Sequence, residues 1–385
     1  MGKKTILSLT MECGNGHKSQ AMAVHEAIMQ RYPDQFEIIT LDTFKDVGSP
    51  HLDALYKKSW QHALKMPPTV LKALYVPWKS RVLTHGFEQA VGQGCIRRLK
   101  QQIEAIHPEF IISTHFTPTH YLSVLKHRGE LDIPVAVIHS EPYDTFASWK
   151  HHWVDHYICF SDLVQHELRR TCQCKDVSVF NFPLNAKFSK TPGEQKVLRE
   201  KLGLSVDDLT LLATCGGEGI GLQEDYLEEL FRSGLPWQVV VICGRNEALK
   251  KRLDEYKMPT GSRGKLKAFG FMRNMEEFIG ASDVVLGKAG PATTFECLVL
   301  GRPVIQTHYM PQEEGVMRYV TKNKMGWYAP TSERFLQIMR DIVEHPQTLK
   351  ERQQAIMDEG LRDGSNDIAD YIVSLIKSGE ENQSA

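Results

Sequence analysis

Short apolar runs separated by segments of helical pattern recur along the whole chain and constrain its fold more than any other feature. This alternation indicates parallel strands whose sheets are covered by helices on both faces. The sequence therefore predicts an α/β fold with doubly wound, Rossmann-like sheets. In the first half we predict strands over residues 5–10, 36–41, 110–113, 135–138, 157–160 and 177–180. In the second half we predict strands over residues 209–214, 238–242, 266–269, 284–286 and 303–306.

A segment rich in proline, glycine and polar residues separates the two series of strands at 181–196. This composition is typical of a domain linker, and 385 residues are enough for two domains that each bury a core. We predict a first domain over 1–185 and a second over 186–357, with a cleft between them. Residues 358–385 end a helical stretch that begins near 348, and we predict that they cross back to the first domain before a mobile tail.

The stretch from 284 to 306 carries the clearest chemical signal. An apolar run meets a turn of small residues at 287–292, and a helical pattern follows at 293–300. The first N–H groups of such a helix lack acceptors within the helix, and the positive end of its dipole points at the turn, which suits phosphate. Glu296, one turn into the helix, can reach the diol of a ribose. Together these features predict a nucleotide diphosphate site within one βαβ unit.

A second turn with glycines follows the first predicted strand, and His17 stands at the start of the next helix. Open α/β sheets bind ligands at the carboxyl ends of their strands, where a histidine can act as a base on a hydroxyl group. The alternative is that the glycines serve the backbone alone and that His17 caps or packs. His115 and His139, near other strand ends, could line the acceptor side, and their spacing does not indicate a metal site.

These motifs resemble, in order, those of the monogalactosyldiacylglycerol synthase and diacylglycerol glucosyltransferase group. That group is related to the enzyme that adds N-acetylglucosamine to the peptidoglycan lipid intermediate. The N-terminal turn at 14–19, the glycine loop at 215–221 and the Cys-Gly-Arg-Asn stretch at 243–246 each match a family motif. Further matches are 270–272, 275–277, 288–293, Glu296 and 311–313. The resemblance implies a GT-B fold, in which two Rossmann-like domains face a cleft.

The resemblance also assigns roles to individual residues. His17 becomes the base on the acceptor hydroxyl, and Glu313 joins it as a catalytic residue that contacts the donor sugar. Taken without the resemblance, residues 312 and 313 would be a solvated surface, and Arg245 could belong to a surface ion pair. The residues assigned to donor binding are Gly16, Gly216, Gly217, Arg245, Phe271, Met272, Gly290, Pro291, Ala292, Thr293, Thr294, Glu296 and Gln312.

The implied chemistry is an inverting transfer of a hexose from a UDP-sugar to a lipid, most simply diacylglycerol. The enzyme must deprotonate the acceptor and stabilise charge that grows on the β-phosphate, which needs neither a metal ion nor a cofactor. Direct displacement then gives a β-linked product from an α-linked donor. Ala292 and Val316 stand where the family has Gly and Asn, which leaves the identity of the sugar open.

The composition of the chain argues for some classes of binding partner and against others. A net charge of −1 argues against nucleic acid, and eight cysteines without paired metal spacing indicate reduced thiols in a cytoplasmic protein. No signal peptide is expected, and no apolar run approaches the roughly 18 residues that span a bilayer. Residues 54–87, however, have six basic residues, none acidic, and many aromatic and leucine residues. This mixture predicts peripheral attachment to an anionic inner membrane face, the alternative being an ordinary solvated helical pair.

Two other functional classes remain open from the sequence. The same scaffold could transfer N-acetylglucosamine to a polyprenyl-linked acceptor, or it could isomerise a sugar nucleotide as an epimerase. The altered glycine loops also allow a protein that binds a sugar nucleotide without turnover. The number of sugars added and the oligomeric state do not follow from the sequence.

Overall fold

The computed structural model describes residues 2–11, 16–48, 80–172, 174, 176–190, 192–216 and 224–384, with isolated positions between 51 and 73. Within these ranges, the side chains at 81–83, 85, 87–91 and 380–384 are not described. Gly217 and most of the basic segment 54–87 lie outside the described residues. The chain divides into two compact units. The first comprises Met1–Ala186, Met310–Gln312 and Asp363–Ala385, and the second comprises Lys187–Tyr309 and Glu313–Arg362.

The first unit is built on a six-stranded sheet. Its strands are β1 (Lys4–Thr10), β2 (Phe36–Asp42), β3 (Phe110–Ser113), β4 (Val135–Ile138), β5 (His156–Cys159) and β6 (Asp176–Val179). The helices between them are α1 (Gly16–Arg31), α2 (Arg81–Ile106), α3 (Phe116–His127) and α4 (Asp162–Thr171). The strand order is β2-β1-β3-β4-β5-β6, and every neighbouring pair is parallel.

The centre of this sheet is buried on both faces. Every residue of β3 and of β4 is buried, as expected for parallel strands covered by helices on both sides. The strand order changes direction between β1 and β3, which makes their carboxyl ends a topological switch point, the usual ligand position in open α/β sheets.

The second unit repeats this plan with its own six-stranded sheet. Its strands are β7 (Leu209–Thr214), β8 (Trp237–Ile242), β9 (Lys265–Phe269), β10 (Val284–Gly287), β11 (Val304–Gln306) and β12 (Gly326–Tyr328). Its helices are α5 (Gln195–Lys201), α6 (Glu224–Arg232), α7 (Glu247–Asp254), α8 (Met275–Ala281), α9 (Pro291–Val299), α10 (Glu314–Lys322), α11 (Ser332–Glu344) and α12 (Gln347–Glu359). The order β12-β11-β10-β7-β8-β9 is parallel throughout and places the switch point between β10 and β7.

Strand β12 is an element that the sequence analysis did not predict. It has three residues, too few for a pattern of buried positions to stand out from the loop around it. Gly326 pairs with Val304 so closely that a Cβ atom at Gly326 would lie 2.2 Å from the Val304 carbonyl oxygen. This edge strand therefore depends on glycine for its backbone contact.

The C-terminal helical stretch is two helices rather than the continuous one predicted. Helix α12 ends at Gly360, whose φ of 64° is the left-handed conformation that favours glycine at a helix end. Helix α13 (Ser365–Ser384) then packs against α1 within the first unit. The Arg31 guanidinium donates to both carboxylate oxygens of Asp370 at 2.7 and 2.6 Å. Among the described residues, we find no helix with the length and apolar content needed to span a bilayer.

Candidate active site

His17 lies in the first turn of α1, at the switch point of the first unit. Its Nδ1 atom is 3.0 Å from the carbonyl oxygen of Thr114, the residue after β3. Because a carbonyl can only accept a hydrogen bond, Nδ1 carries a proton, and in the neutral imidazole Nε2 is therefore the unprotonated nitrogen. This is the tautomer of a general base. Gly16 opens the helix, and a Cβ atom there would contact no described residue within 4 Å.

His115 packs directly against His17. The two ring centroids are 4.7 Å apart at an interplanar angle of 73°. His115 is the N-cap of α3, and its Nδ1 accepts the backbone N–H of Thr117 at 3.1 Å. Burial lowers the pKa of His115 well below 6.5, with the neighbouring His17 as a smaller cause. His115 is therefore a neutral ring that buries one side of His17.

A second buried ring pair lies on another side of His17. The Trp149 centroid is 6.3 Å from that of His17, and His139 packs on Trp149 at 4.5 Å. Burial lowers the pKa of His139 to about 3, so this imidazole is also neutral. Ser140 donates its hydroxyl to the Thr114 carbonyl at 2.9 Å, the same oxygen that orients His17.

The sequence placed His115 and His139 near strand ends, and the structure brings both to the surroundings of His17. Within the described residues, no three His, Cys, Asp or Glu side chains come together as metal ligands. Ser140 was assigned no role from the sequence, although it follows a buried strand as His115 does. The signal that could have identified it is this shared position at the carboxyl edge of one sheet.

The N-terminus of α9 forms the corresponding place in the second unit. Gly290 is the N-cap and Pro291 the first helical residue, so the next N–H groups, those of Ala292 and Thr293, have no acceptor within the helix. The Thr294 N–H starts the helical ladder by donating to the Gly290 carbonyl at 3.1 Å. The turn is therefore shaped to offer main-chain donors and a positive dipole end to an anion.

Lys288 and Glu313 meet in front of this turn. The Lys288 ammonium pairs with the Glu313 carboxylate, whose side chain is 7% exposed, whereas that of Lys288 is 40% exposed. A Cβ atom at Gly290 would lie 3.2 Å from Lys288 Cε and 3.6 Å from Glu313 Oε1. Gly290 has an ordinary φ of −67°, so the backbone does not require glycine here, and an added Cβ would press on the flexible end of the Lys288 side chain. Burial lowers the pKa of the nearby His308, and the Lys288 charge acts in the same direction.

Gln306, at the end of β11, joins the first turn of α9. Its Nε2 donates to Thr294 Oγ1 at 3.2 Å, and both residues are buried. The other amide atom, Oε1, is buried and has no hydrogen-bond partner among the residues that the structure describes. A buried acceptor without a donor costs about 1–3 kcal/mol, so this oxygen marks a place where a ligand could supply an N–H or O–H group.

Glu296 lies one turn further along α9. Burial raises the pKa of its carboxyl group to about 7; Lys187 lowers this pKa and Glu276 raises it by smaller amounts. Lys187 and Glu276 pair with each other at 3.1 Å. Glu276 belongs to α8, which follows the turn at Phe271 and Met272. Glu296, the residue assigned to the ribose diol, therefore lies near α8, the helix that follows the turn assigned to uracil.

The structure brings Arg245 and Phe271 together at the ends of β8 and β9. The guanidinium carbon of Arg245 lies 5.2 Å from the centroid of the Phe271 ring. Both side chains are exposed, and Met272 beside them is half-buried. An aromatic ring of this size with 49% of its surface exposed is available to stack on a planar ligand.

The remaining assigned residues are less informative. Gly216 follows β7 with a φ of 65°, which favours glycine, whereas its neighbour Gly217 lies outside the described residues. Gln312 and Glu313 belong to one short helical turn, Pro311–Glu313, but Gln312 is grouped with the first unit and Glu313 with the second. No role was predicted for Lys288 or Gln306 from the sequence. Lys288 could have been noticed as the cation of the Lys-Ala-Gly-Pro loop.

Two protein families match the two halves of the chain. Residues 17–183 match the family model of monogalactosyldiacylglycerol (MGDG) synthase. Residues 210–368 match the model of the glycosyltransferase family 28 C-terminal domain. His17 is the first residue of the first match, and the α9 turn with Lys288 and Glu313 lies inside the second.

Curated relatives point the same way. The chain is 28% identical over 351 residues to a probable monogalactosyldiacylglycerol synthase, chloroplastic, of Glycine max, covering 88% of this chain and 65% of that protein. It is 27% identical over 351 residues to monogalactosyldiacylglycerol synthase 1, chloroplastic, of Arabidopsis thaliana, with coverages of 88% and 64%. The chain thus spans just under two thirds of the length of these two relatives.

Solved structures show the fold. MurG of Acinetobacter baumannii superimposes with a TM-score of 0.60 at 13% identity, covering 97% of this chain and 99% of MurG. HepE of Anabaena in complex with UDP-glucose gives 0.53 at 13% identity, with 99% of each chain covered. These likenesses confirm the predicted GT-B architecture. The two halves of the chain are therefore similar, in order, to monogalactosyldiacylglycerol synthase and to the C-terminal domain of glycosyltransferase family 28, which is the resemblance that its motifs predicted.

Proposed function

We propose that the protein is a UDP-sugar-dependent hexosyltransferase that glycosylates a lipid acceptor, with diacylglycerol as the first candidate. The observation that carries this proposal is the state of His17. Its proton is fixed on Nδ1 by the Thr114 carbonyl, at the switch point of a domain that matches MGDG synthase. In the neutral ring this leaves Nε2 as the basic nitrogen, which suits activation of a hydroxyl group.

In the proposed reaction, Nε2 of His17 takes the proton of the acceptor hydroxyl as its oxygen attacks the anomeric carbon of the donor. The new carbon–oxygen bond forms as the bond from that carbon to the β-phosphate oxygen breaks. The electron pair of the broken bond leaves with UDP. Attack opposite the leaving group inverts the anomeric centre, so an α-linked donor gives a β-linked lipid.

The second unit holds the donor in this proposal. The main-chain N–H groups of Ala292 and Thr293 and the dipole of α9 stabilise the charge that develops on the diphosphate, without a metal ion. Glu296 accepts hydrogen bonds from the ribose hydroxyls, and backbone groups at Phe271 and Met272 hold the uracil. Gln312 and Glu313 contact the sugar. Gly16, Gly216 and Gly217 border the ligands, and Arg245 offsets phosphate charge.

We place the acceptor at a membrane surface because of the composition of residues 54–87. Lysine and arginine there would be drawn to anionic lipid, while the tryptophan, tyrosine and leucine residues would enter the interface. Co-sedimentation with vesicles tests this attachment. We expect binding to phosphatidylglycerol-containing vesicles that weakens with salt, and much weaker binding to vesicles of phosphatidylcholine alone.

Transfer assays test the function itself. Radiolabelled UDP-glucose, UDP-galactose and UDP-N-acetylglucosamine are each incubated with diacylglycerol vesicles, and lipid-soluble label is measured. We expect label from a UDP-hexose in the lipid phase, at a rate that falls by roughly 10² or more in the His17→Ala variant. Label that depends on a polyprenyl phosphate, a free epimerised sugar nucleotide, or nucleotide binding without any turnover would each contradict the proposal.

A further inference from the structure

Lys288 occupies a place where a cation is normally unfavourable. Its side chain crosses Gly290, the N-cap of α9, so the ammonium stands beside the positive end of a helix dipole. Cations are destabilised at such an end, and anions are stabilised there. The position of Lys288 therefore requires an anion in front of α9.

The Glu313 carboxylate supplies an anion at this place. Glu313 is 5% exposed and pairs with Lys288 within reach of the same turn. A second observation at the same helix also points to a ligand. Gln306, whose amide nitrogen donates to Thr294 in the first turn of α9, has a buried Oε1 that lacks a donor among the described residues.

We infer that Glu313 is a stand-in for the donor diphosphate and that Lys288 exchanges one for the other when the donor binds. This inference rests on the proposed function and adds Lys288 to the residues that recognise the donor. Lys288 then contacts the phosphate, and the released Glu313 carboxylate accepts hydrogen bonds from the sugar hydroxyls.

The arrangement selects the phosphate involved. At the helix end proposed to hold the diphosphate, Lys288 pairs with Glu313, which contacts the sugar in the proposed function. The phosphate on the sugar side of the diphosphate is the β-phosphate. Lys288 therefore neutralises the group on which charge grows as the glycosidic bond breaks, and it contributes little to a nucleoside monophosphate.

Calorimetric titration with UDP and with UMP tests the contact. In Lys288→Met, we expect UDP affinity to fall about tenfold or more and UMP affinity to change less than about threefold, because the lost contact is charge-assisted and specific to the second phosphate. Lys288→Arg keeps the charge and should retain most of the UDP affinity of the unaltered protein. As a matched control, Lys265→Met removes another half-exposed pair of the second unit, that with Asp208 at the amino ends of its strands, and should change neither affinity.

Glu313→Gln gives a second readout with the opposite sign. Removing the competing carboxylate charge should tighten UDP binding by about threefold or more, because Lys288 no longer has to leave a charged partner. Sugar transfer should nevertheless fall, since the sugar loses its ionised acceptor. A purely structural ion pair would lower both quantities, and melting curves of all variants show whether the fold is kept.

Three results would overturn the inference. They are equal losses of UDP and UMP affinity in Lys288→Met, unchanged or weaker UDP binding in Glu313→Gln, and absence of UDP binding by the unaltered protein. Absence of UDP binding would also contradict the proposal that a UDP-sugar is the donor. If UDP binds as expected but no sugar reaches any acceptor, the proposed function fails while the ion-pair exchange stands on the binding data.

Discussion

The two units present the same sheet plan but prepare their switch points in opposite ways. In the first unit, neutral and buried rings surround His17, and burial keeps the pKa of His115 and of His139 low. In the second unit, the corresponding place is charged, with the Lys288–Glu313 pair in front of α9 and Glu296 one turn behind. Buried neutral surroundings disfavour the imidazolium and so favour the unprotonated ring that a base needs, whereas a cation favours the binding of an anion.

The contrast separates two kinds of measurable effect. Changes around His17 should act on the transfer step and leave donor affinity unaltered, whereas changes around α9 should always alter donor affinity or its dependence on pH. A variant at His17 that weakens UDP binding, or a variant at α9 that leaves donor affinity unaltered, would show that the two places do not have the separate roles we assign to them.

The largest effect is expected for His17→Ala. Loss of the base should lower the transfer rate by roughly 10² or more while the affinity for UDP stays within about twofold. Initial rates and calorimetry on the same preparation measure the two quantities. A variant that keeps its activity would show that His17 is not the base, and a variant that loses UDP binding would break the division between the units.

His115→Asn should have the next largest effect. Asparagine is a good N-cap and keeps the start of α3, but it removes the ring that packs against His17. We expect kcat to fall about tenfold, because His17 gains freedom and solvent on that side, with the donor KM unchanged. Thr117→Ala leaves the His115 ring in place and serves as the control for α3. Equal losses in both variants would indicate a general disturbance of the helix.

Glu296 should make donor affinity depend on pH. Its carboxyl pKa is raised from 4.5 to about 7, and ribose hydroxyls donate to the ionised form. UDP-glucose affinity should therefore increase several-fold between pH 6 and 8, as the carboxyl loses its proton. In Glu296→Gln this dependence should disappear. The same raised pKa makes the folded state bind an extra proton between pH 4.5 and 7, so this group lowers stability as the pH rises through that range.

The smallest effect is expected for Arg245→Met. The contact between its guanidinium and Phe271 is exposed, where such interactions contribute about 0.5–1 kcal/mol. UDP-glucose affinity should fall by about two- to fivefold, with the melting temperature unchanged. Phe271→Leu should lower the affinity for uridine by a similar factor. Unchanged affinity in both variants would show that Arg245 and Phe271 do not contact the nucleotide.

Much of the fold follows from the sequence because buried parallel strands leave continuous apolar runs. The predicted ranges 110–113 and 135–138 coincide with β3 and β4, whose residues are all buried. Strand β12 has only three residues, and its pairing depends on a close backbone approach at Gly326. The break at Gly360 depends on a single backbone conformation within a helical pattern. Neither kind of feature produces a periodic signal.

The candidate site divides in the same way. His17 and Gly290 stand at strand-to-helix turns, where position alone indicates a ligand. The pairing of Lys288 with Glu313 joins residues 25 positions apart, and the shared use of the Thr114 carbonyl by His17 and Ser140 joins three segments. Such contacts depend on the conformation of the loops that follow the strands, and the spacing of residues along the chain does not specify that conformation.

The most direct test of the account is a crystal structure of the protein with bound UDP-hexose. The account predicts the diphosphate within hydrogen-bonding distance of the main-chain N–H groups of Ala292 and Thr293, with Lys288 turned from Glu313 to the β-phosphate. A nucleotide bound elsewhere, or a diphosphate at this turn with the Lys288–Glu313 pair intact, would contradict it.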